Sequence, residues 1–444
     1  MKNKIFKFFK LFVVVCLIVP CCFGLSACKD NTPHIGENGN WFIGSTDTGI
    51  KAEGQDGKDG TNGKDAEPVD TYEIWQNAVE HENYQGSYLD FIKEYFTVTT
   101  DITAAVANAC VMSVVEVKAY NTTSEVGTGS GVIYQIDQDG NALILTNYHV
   151  VVGNGVVPKS RYSLRIYGQQ EDTYISAEFV GGSSTYDVAI LKVTESSVLK
   201  NANAKAITLN TSSPTLGETC IAIGNPDTFG VAVNKGIVSK DSEYVNMTVA
   251  QEKLPRRLIR HDAYISGGSS GGGLFDINGH LIGLTCGGKD GTDVHYAIPA
   301  SIVECVVNSV LKNVEAGTGT KPTTANLGIE VNGIPQPYFN PESGKVEIVD
   351  TITIKQIDDG IIAENGVLAV DDQLVSIIIN PSTANEKTIT LSREFELTEL
   401  LMTISANTTI TINAVRTIED GDETTTQNLA TTITITADDI SIVK

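Results

Sequence analysis

His149, Asp187 and Ser270 are the residues whose types and settings could do chemistry. His149 stands just past an apolar strand, in Leu145-Thr146-Asn147-Tyr148-His149-Val150-Val151, where an imidazole can move a proton near neutral pH. Asp187 opens the apolar run Val188-Ala189-Ile190-Leu191. A carboxylate there is costly unless it accepts hydrogen bonds, and orienting an imidazole would supply them. Ser270 sits in Ser266-Gly267-Gly268-Ser269-Ser270-Gly271-Gly272-Gly273, where glycines let backbone N–H groups turn inward. The segment Gly268-Ser269-Ser270 can gather amides, those of Gly268 and Ser270 in particular, into an oxyanion hole beside the hydroxyl. Singly, each residue has an ordinary reading: a core histidine, a strand-start turn, a Gly/Ser linker. A linker, however, does not run straight into strands such as Leu274-Phe275 and Leu281-Ile282-Gly283-Leu284.

The elements that must position these residues are short apolar strands between Gly, Asn, Asp and Ser turns, at 111–119, 142–146, 188–193, 220–224 and 281–285. Strands at this spacing predict a mainly β fold, a barrel or sandwich. The order His, Asp, Ser is that of the chymotrypsin-like triad. The chain further resembles the HtrA/DegP-type serine proteases in Thr128-Gly129-Ser130-Gly131-Val132-Ile133, Gly224-Asn225-Pro226, Gly236-Ile237-Val238-Ser239 and Tyr296-Ala297-Ile298-Pro299, over roughly residues 101–315. The resemblance implies a chymotrypsin-like double β-barrel and a serine endopeptidase acting on unfolded or damaged envelope proteins. In that mechanism Ser270 attacks the scissile carbonyl, His149 takes its proton and Asp187 holds the imidazole, without metal or cofactor. A homotrimer is usual in the family, though the N-terminal region here differs from the family's. Two departures stand near the nucleophile: Ser269 replaces a usual Asn and Gly273 a usual Pro. The substrate pocket is expected at Tyr264, Thr285, Cys286 and His295. Tyr264 stands where the family has a small floor residue and His295 where it has glycine. With no acid at the floor, cleavage after Lys or Arg is not expected. Tyr264 and His295 leave two readings open, a shallow pocket for small residues or one that binds a polar or acidic side chain.

The 444 residues suffice for two or three domains. Apolar residues at 41% and charged residues at 19% argue against wholesale disorder and against a multi-span membrane protein. Residues 1–27 have the basic start and short apolar run of a signal peptide, and Leu25-Ser26-Ala27-Cys28 resembles a bacterial lipobox. Acylated Cys28 would hold the secreted chain on the lipid bilayer of the cell envelope, outside the cytoplasm. Without the signal, 27 basic residues face 54 acidic ones, a surface that repels nucleic acid. Residues 28–70 read as a Gly-rich spacer with collagen-like triplets, 71–97 as a helical hairpin, 98–318 as the protease domain and 319–444 as a PDZ-like domain. Cys110, Cys220, Cys286 and Cys305 lack metal-site spacing and read as buried small side chains, with one disulfide left open. Leu327-Gly328-Ile329 resembles the carboxylate-binding loop and first strand of a PDZ domain, which takes peptides by strand addition. The alternative is a catalytically silent surface scaffold that binds peptides through this domain.

Overall fold

The computed structural model describes residues 33–43, 45–51, positions 75, 76, 78, 79, 85 and 91, and 102–444 apart from 123, 171–172, 290, 341–344 and 422. The signal segment, Cys28 and most of the expected helical hairpin lie outside the described residues. Within the hairpin, Trp75, Gln76, Ala78, Val79 and Phe91 are helical. The chain divides into two units, residues 1–105 and 106–444.

In the first unit, part of the segment read as a solvated spacer is instead an antiparallel sheet. Its strands are β1 (Pro33–Ile35), β2 (Asn40–Ile43) and β3 (Thr46–Lys51). The Asn and Asp side chains that give the segment its spacer-like composition build its turns. Asp47 accepts hydrogen bonds from Asn40 Nδ2 at 3.0 Å and from the Gly49 amide at 2.9 Å. Side chains of this type mimic backbone turns.

The second unit opens with two closed six-stranded barrels. The first comprises β4 (Val114–Asn121), β5 (Ser124–Ile136), β6 (Ala142–Thr146), β7 (Arg161–Ile166), β8 (Ile175–Ser183) and β9 (Val188–Val193), in the order β4-β5-β6-β9-β8-β7. The second comprises β10 (Thr219–Gly224), β11 (Ala232–Val249), β12 (Glu252–His261), β13 (Gly273–Phe275), β14 (Leu281–Lys289) and β15 (Val294–Pro299), in the order β10-β11-β12-β15-β14-β13. The expected strand at 111–119 starts as a turn of 3-10 helix, Val111–Ser113, before β4. Val115, Val117, Ile144 and Leu191 fill the first barrel; Cys220, Val238, Ile259 and Leu274 fill the second. Strand β9 is apolar on both faces because one lines the barrel and the other is covered. After α1 (Tyr148–Val152), the helix α2 (Ala300–Glu315) packs on β8 and β9. It buries Ile302, Val303, Val306, Val307 and Val310, the i, i+3, i+4 stripe of an amphipathic helix.

The C-terminal part is a mixed α/β layer. A short ladder of β16 (Thr323–Ala325) precedes β17 (Ile329–Asn340), β18 (Lys345–Ile357), β19 (Gln373–Ile379), β20 (Lys387–Thr390), β21 (Thr409–Asp420), β22 (Glu423–Thr434) and β23 (Ile440–Ile442). The main sheet runs β17-β18-β19-β21-β22, β20 pairs with β19, and β16 with β23. Helix α3 (Glu394–Thr403) covers it with Leu397 and Leu400. Leu327 is buried in this core. The Gly328 amide donates to Asn326 Oδ1 at 3.0 Å, and Ile329 begins β17 at the sheet edge.

Arg257 on β12 joins the barrels to this layer. Its guanidinium pairs with Glu399 of α3, donates to Ser301 Oγ at 2.9 Å and lies 3.8 Å from the centre of the Phe395 ring. The Arg257 side chain is 5% exposed and that of Glu399 14%. Removing one partner of a buried pair strands the other charge. Glu399→Ala is therefore expected to lower unfolding free energy by about 3–5 kcal/mol in urea denaturation. A loss below about 1 kcal/mol, the range of surface pairs, would show that the contact does not hold the layer.

Candidate active site

Strand β6 ends at Thr146, and the single turn α1 turns His149 back toward the loop that precedes β9. Asp187 in that loop has no exposed surface and adopts φ +58°, a left-handed conformation costly for any residue with a Cβ. Four hydrogen bonds fix it there. Its Oδ1 accepts from the His149 amide at 2.9 Å and its Oδ2 meets His149 Nδ1 at 2.8 Å. Its carbonyl accepts from the Tyr148 amide at 3.2 Å and from Asn147 Nδ2 at 3.1 Å. An ionised carboxylate can only accept, so Nδ1 carries the proton and Nε2 keeps its lone pair. Burial pulls the His149 pKa down, but the charge and hydrogen bond of Asp187 outweigh it, and the imidazole lies above its ordinary 6.5.

Ser270 is carried by a loop of the second barrel and held by the first. The Ser130 amide on β5 donates to the Ser270 carbonyl at 2.7 Å. The buried Ser130 hydroxyl donates to the Gly268 carbonyl at 2.8 Å and accepts from the Asn225 amide at 2.8 Å. Gly271 lets the loop press against the His149 turn. It has φ +85°, and a Cβ there would lie 2.2 Å from the Ser130 carbonyl oxygen and 2.3 Å from Thr146 Oγ1. The Ser269 amide donates to the Ser266 carbonyl at 3.0 Å. Those of Gly268 and Ser270 have no hydrogen-bond acceptor among the described residues, which leaves two donors free beside the Ser270 hydroxyl. Ser270 Oγ likewise has no hydrogen-bond partner among the described residues, as is common where no substrate draws the groups together. Gly273, where the family has proline, has its side-chain space filled: a Cβ would lie 2.3 Å from the Phe275 ring.

Tyr264, His295 and Ser270 line one cavity of about 660 Å3, with Lys289 and Asp293. Tyr264 is 52% exposed and meets His295 edge-on, ring centres 5.7 Å apart. Thr285 and Cys286 are buried and do not line this cavity; β14 has a register irregularity between Thr285 and Gly287. Thr285 Oγ1 donates to the Ser269 carbonyl at 2.6 Å, and its backbone exchanges hydrogen bonds with Gly271 and Gly272, so it braces the nucleophile loop. Cys286 donates to the Tyr296 carbonyl at 3.5 Å. Burial, then the charge of Asp187, push its thiol well above the ordinary range. All four described cysteines are free thiols, and burial pushes Cys110, Cys220 and Cys305 up to about 12.

One positioning residue escaped the sequence reading. Arg256 on β12 is 4% exposed. Its Nε donates to the Thr185 carbonyl at 2.8 Å and its Nη2 to that of Ser184 at 2.7 Å, while Nη1 reaches the Met247 carbonyl at 2.5 Å. The second barrel thereby anchors the loop bearing Asp187. Paired arginines inside the apolar strand Leu254-Pro255-Arg256-Arg257-Leu258 are the signal that could have found it.

The paired barrels with a His–Asp–Ser site between them have the fold of a trypsin-like protease, and residues 129–284 match the trypsin-like peptidase domain family. The chain is 29% identical over 261 residues to the serine protease Do-like HtrA of Bacillus subtilis, covering 57% of this chain and 55% of that one. It is 26% identical over 264 residues to the serine endoprotease DegS of Escherichia coli, covering 57% and 66%. Among solved structures, the HtrA-type protease AlgW with a tripeptide aligns at 23% identity and a TM-score of 0.49, over 75% of this chain and 96% of that one. The chain thus spans little more than half the length of the first curated relatives it matches.

The positive charge of Arg256 opposes protonation of His149. Arg256→Met is therefore expected to raise the His149 pKa further, read by NMR titration of the imidazole. An unchanged pKa would show that Arg256 only packs, and a lower one that its hold on the Asp187 loop outweighs its charge.

Proposed function

We propose that the chain is a serine endopeptidase of HtrA type that hydrolyses peptide bonds through an acyl-enzyme. The observation that carries this reading is the Asp187–His149 pair, with Nδ1 engaged and Nε2 open, beside a hydroxyl flanked by two free amides. Ser270 Oγ bonds to the scissile carbonyl carbon as its proton passes to His149 Nε2. The oxyanion is received by the amides of Gly268 and Ser270. The C–N bond breaks as His149 returns the proton to the leaving amine. Water then attacks the ester with His149 as base, releasing the acid and restoring Ser270. Throughout, Asp187 favours the tautomer that can take the proton and stabilises the imidazolium.

The intact site and the match to the trypsin-like peptidase family favour an enzyme over a silent scaffold. Unfolded or damaged envelope proteins are the proposed substrates, supported by the resemblance to HtrA-type proteases. Acylation of Cys28 is the proposed anchor, supported by Leu25-Ser26-Ala27-Cys28. The C-terminal layer is proposed to be PDZ-like, with β17 as the edge to which a peptide would add and Leu327-Gly328-Ile329 at its head. A trimer is proposed on the resemblance alone.

Casein degradation by the chain is expected to fall by at least about 10^4-fold in Ser270→Ala. Equal cleavage by parent and variant would contradict Ser270 as nucleophile. The pH dependence follows from the sign of the His149 shift. Below its pKa the imidazole already holds a proton and cannot accept that of Ser270. The acidic limb of kcat/KM is therefore expected above 6.5, the ordinary value. A limb below it would contradict the Asp187–His149 coupling.

A further inference from the structure

One buried imidazole, that of His295, lines the cavity beside Ser270, and a second, that of His261, packs behind it. His261 on β12 and His295 on β15 are register partners, their ring centres 6.0 Å apart. His261 has no exposed surface and His295 is 5% exposed. Both ring nitrogens of His295 are buried without a hydrogen-bond partner, whereas the ring of His261 has the backbone at Tyr296 and Ala263 beside it. Buried polar atoms are ordinarily paired, and such a group on a cavity wall marks a place where a ligand atom belongs. Gly288 keeps it reachable: a Cβ there would come within 2.6 Å of His295 Nδ1.

The surrounding charges decide which ligand fits. Burial and the neighbouring imidazole hold the pKa of His261 down at about 4; burial holds that of His295 below its ordinary value although Asp293 and Asp262 oppose it. Both rings are neutral at neutral pH, and His295 offers the cavity one N–H and one lone pair. Asp293, Asp227 and Lys289 lie along the cavity, and Tyr264 closes one side with its ring. An acidic side chain would face two carboxylates against one ammonium. A basic one would leave water for a neutral imidazole, since Asp227 and Asp293 sit at the exposed mouth. An aliphatic one would leave the nitrogens unpaired. A primary carboxamide carries no charge and offers both an acceptor oxygen and N–H donors, the complement of a neutral imidazole.

Resting on the endopeptidase reading, we propose that this cavity is the subsite for the residue before the scissile bond and takes a primary carboxamide. The chain then cleaves after glutamine or asparagine, with His295 hydrogen-bonding the side-chain amide and His261 setting the position of His295.

The test uses the full chain and peptides identical except at that residue, carrying Gln, Asn, Glu, Val or Lys. Labelling of Ser270 by a fluorophosphonate serves as a separate readout. The expected result is kcat/KM for Gln or Asn at least ~10-fold above Glu, Val and Lys, because a site built for hydrogen bonds rejects residues that cannot make them. His295→Phe is expected to bring the Gln-to-Val ratio close to one. A preference for Glu that grows as pH falls would overturn the inference in favour of a carboxylate held by protonated imidazole. A preference for Val or Lys overturns it as well, as does a Gln-to-Val ratio unmoved in His295→Phe. Labelling of Ser270 without a carboxamide preference overturns this inference alone. Failure of Ser270 to label removes the endopeptidase reading and this subsite with it.

Discussion

A fully buried carboxylate on a left-handed backbone should be unstable, and the rest of the site is arranged around the hydrogen bonds that keep Asp187 there. His149 contributes two of them, one from its amide and one from Nδ1, while Tyr148 and Asn147 take the carbonyl. The imidazole is thereby fixed in position and tautomer by the group that raises its basicity. The reverse dependence holds too: without His149 the carboxylate would lose Oδ2's partner in a place water does not reach.

The two barrels clamp one another's chemistry. From the first, Ser130 holds the nucleophile loop through both its amide and its hydroxyl. From the second, Arg256 holds the carbonyls of Ser184 and Thr185, directly before Asp187. Neither half of the triad is positioned by its own barrel alone, so the site forms only when the barrels dock. Strand alternation extends the clamp one residue further. Arg256 points to the Asp187 loop, and Arg257 reaches the opposite way to Glu399 of the C-terminal layer. That layer also touches the loop directly, since the Lys444 carbonyl accepts from the Thr185 amide at 3.0 Å.

Much of this was legible in the sequence because the barrel strands are apolar runs between turn residues. Strands 142–146 and 188–193 fall on β6 and β9 to the residue. The helical spacing of residues 393–404, REFELTELLMTI, falls on the helix Glu394–Thr403. What stayed hidden depends on partners distant in the chain. The turns of 33–51 use side chains that composition reads as solvent-loving. The segment from 329 to 351, which holds several prolines, belongs to a long hairpin. Pro335 and Pro337 are tolerated because β17 is an edge strand and spends no donor on its outer side. Thr285 and Cys286 sit on the strand expected to line the pocket but are buried at a register irregularity of β14. Arg256 acts through carbonyls about 70 residues upstream in the chain, which periodicity cannot reveal.

The central claim is that Asp187 commits the proton of His149 to Nδ1 and leaves Nε2 as the base. The most direct measurement is the 15N and 1H spectrum of the imidazole in histidine-labelled protein at a pH where the ring is neutral. The account predicts a strongly downfield, exchange-protected proton on Nδ1 and an unprotonated Nε2, with the proton signal lost in Asp187→Ala. A proton found on Nε2 in the parent protein would contradict it.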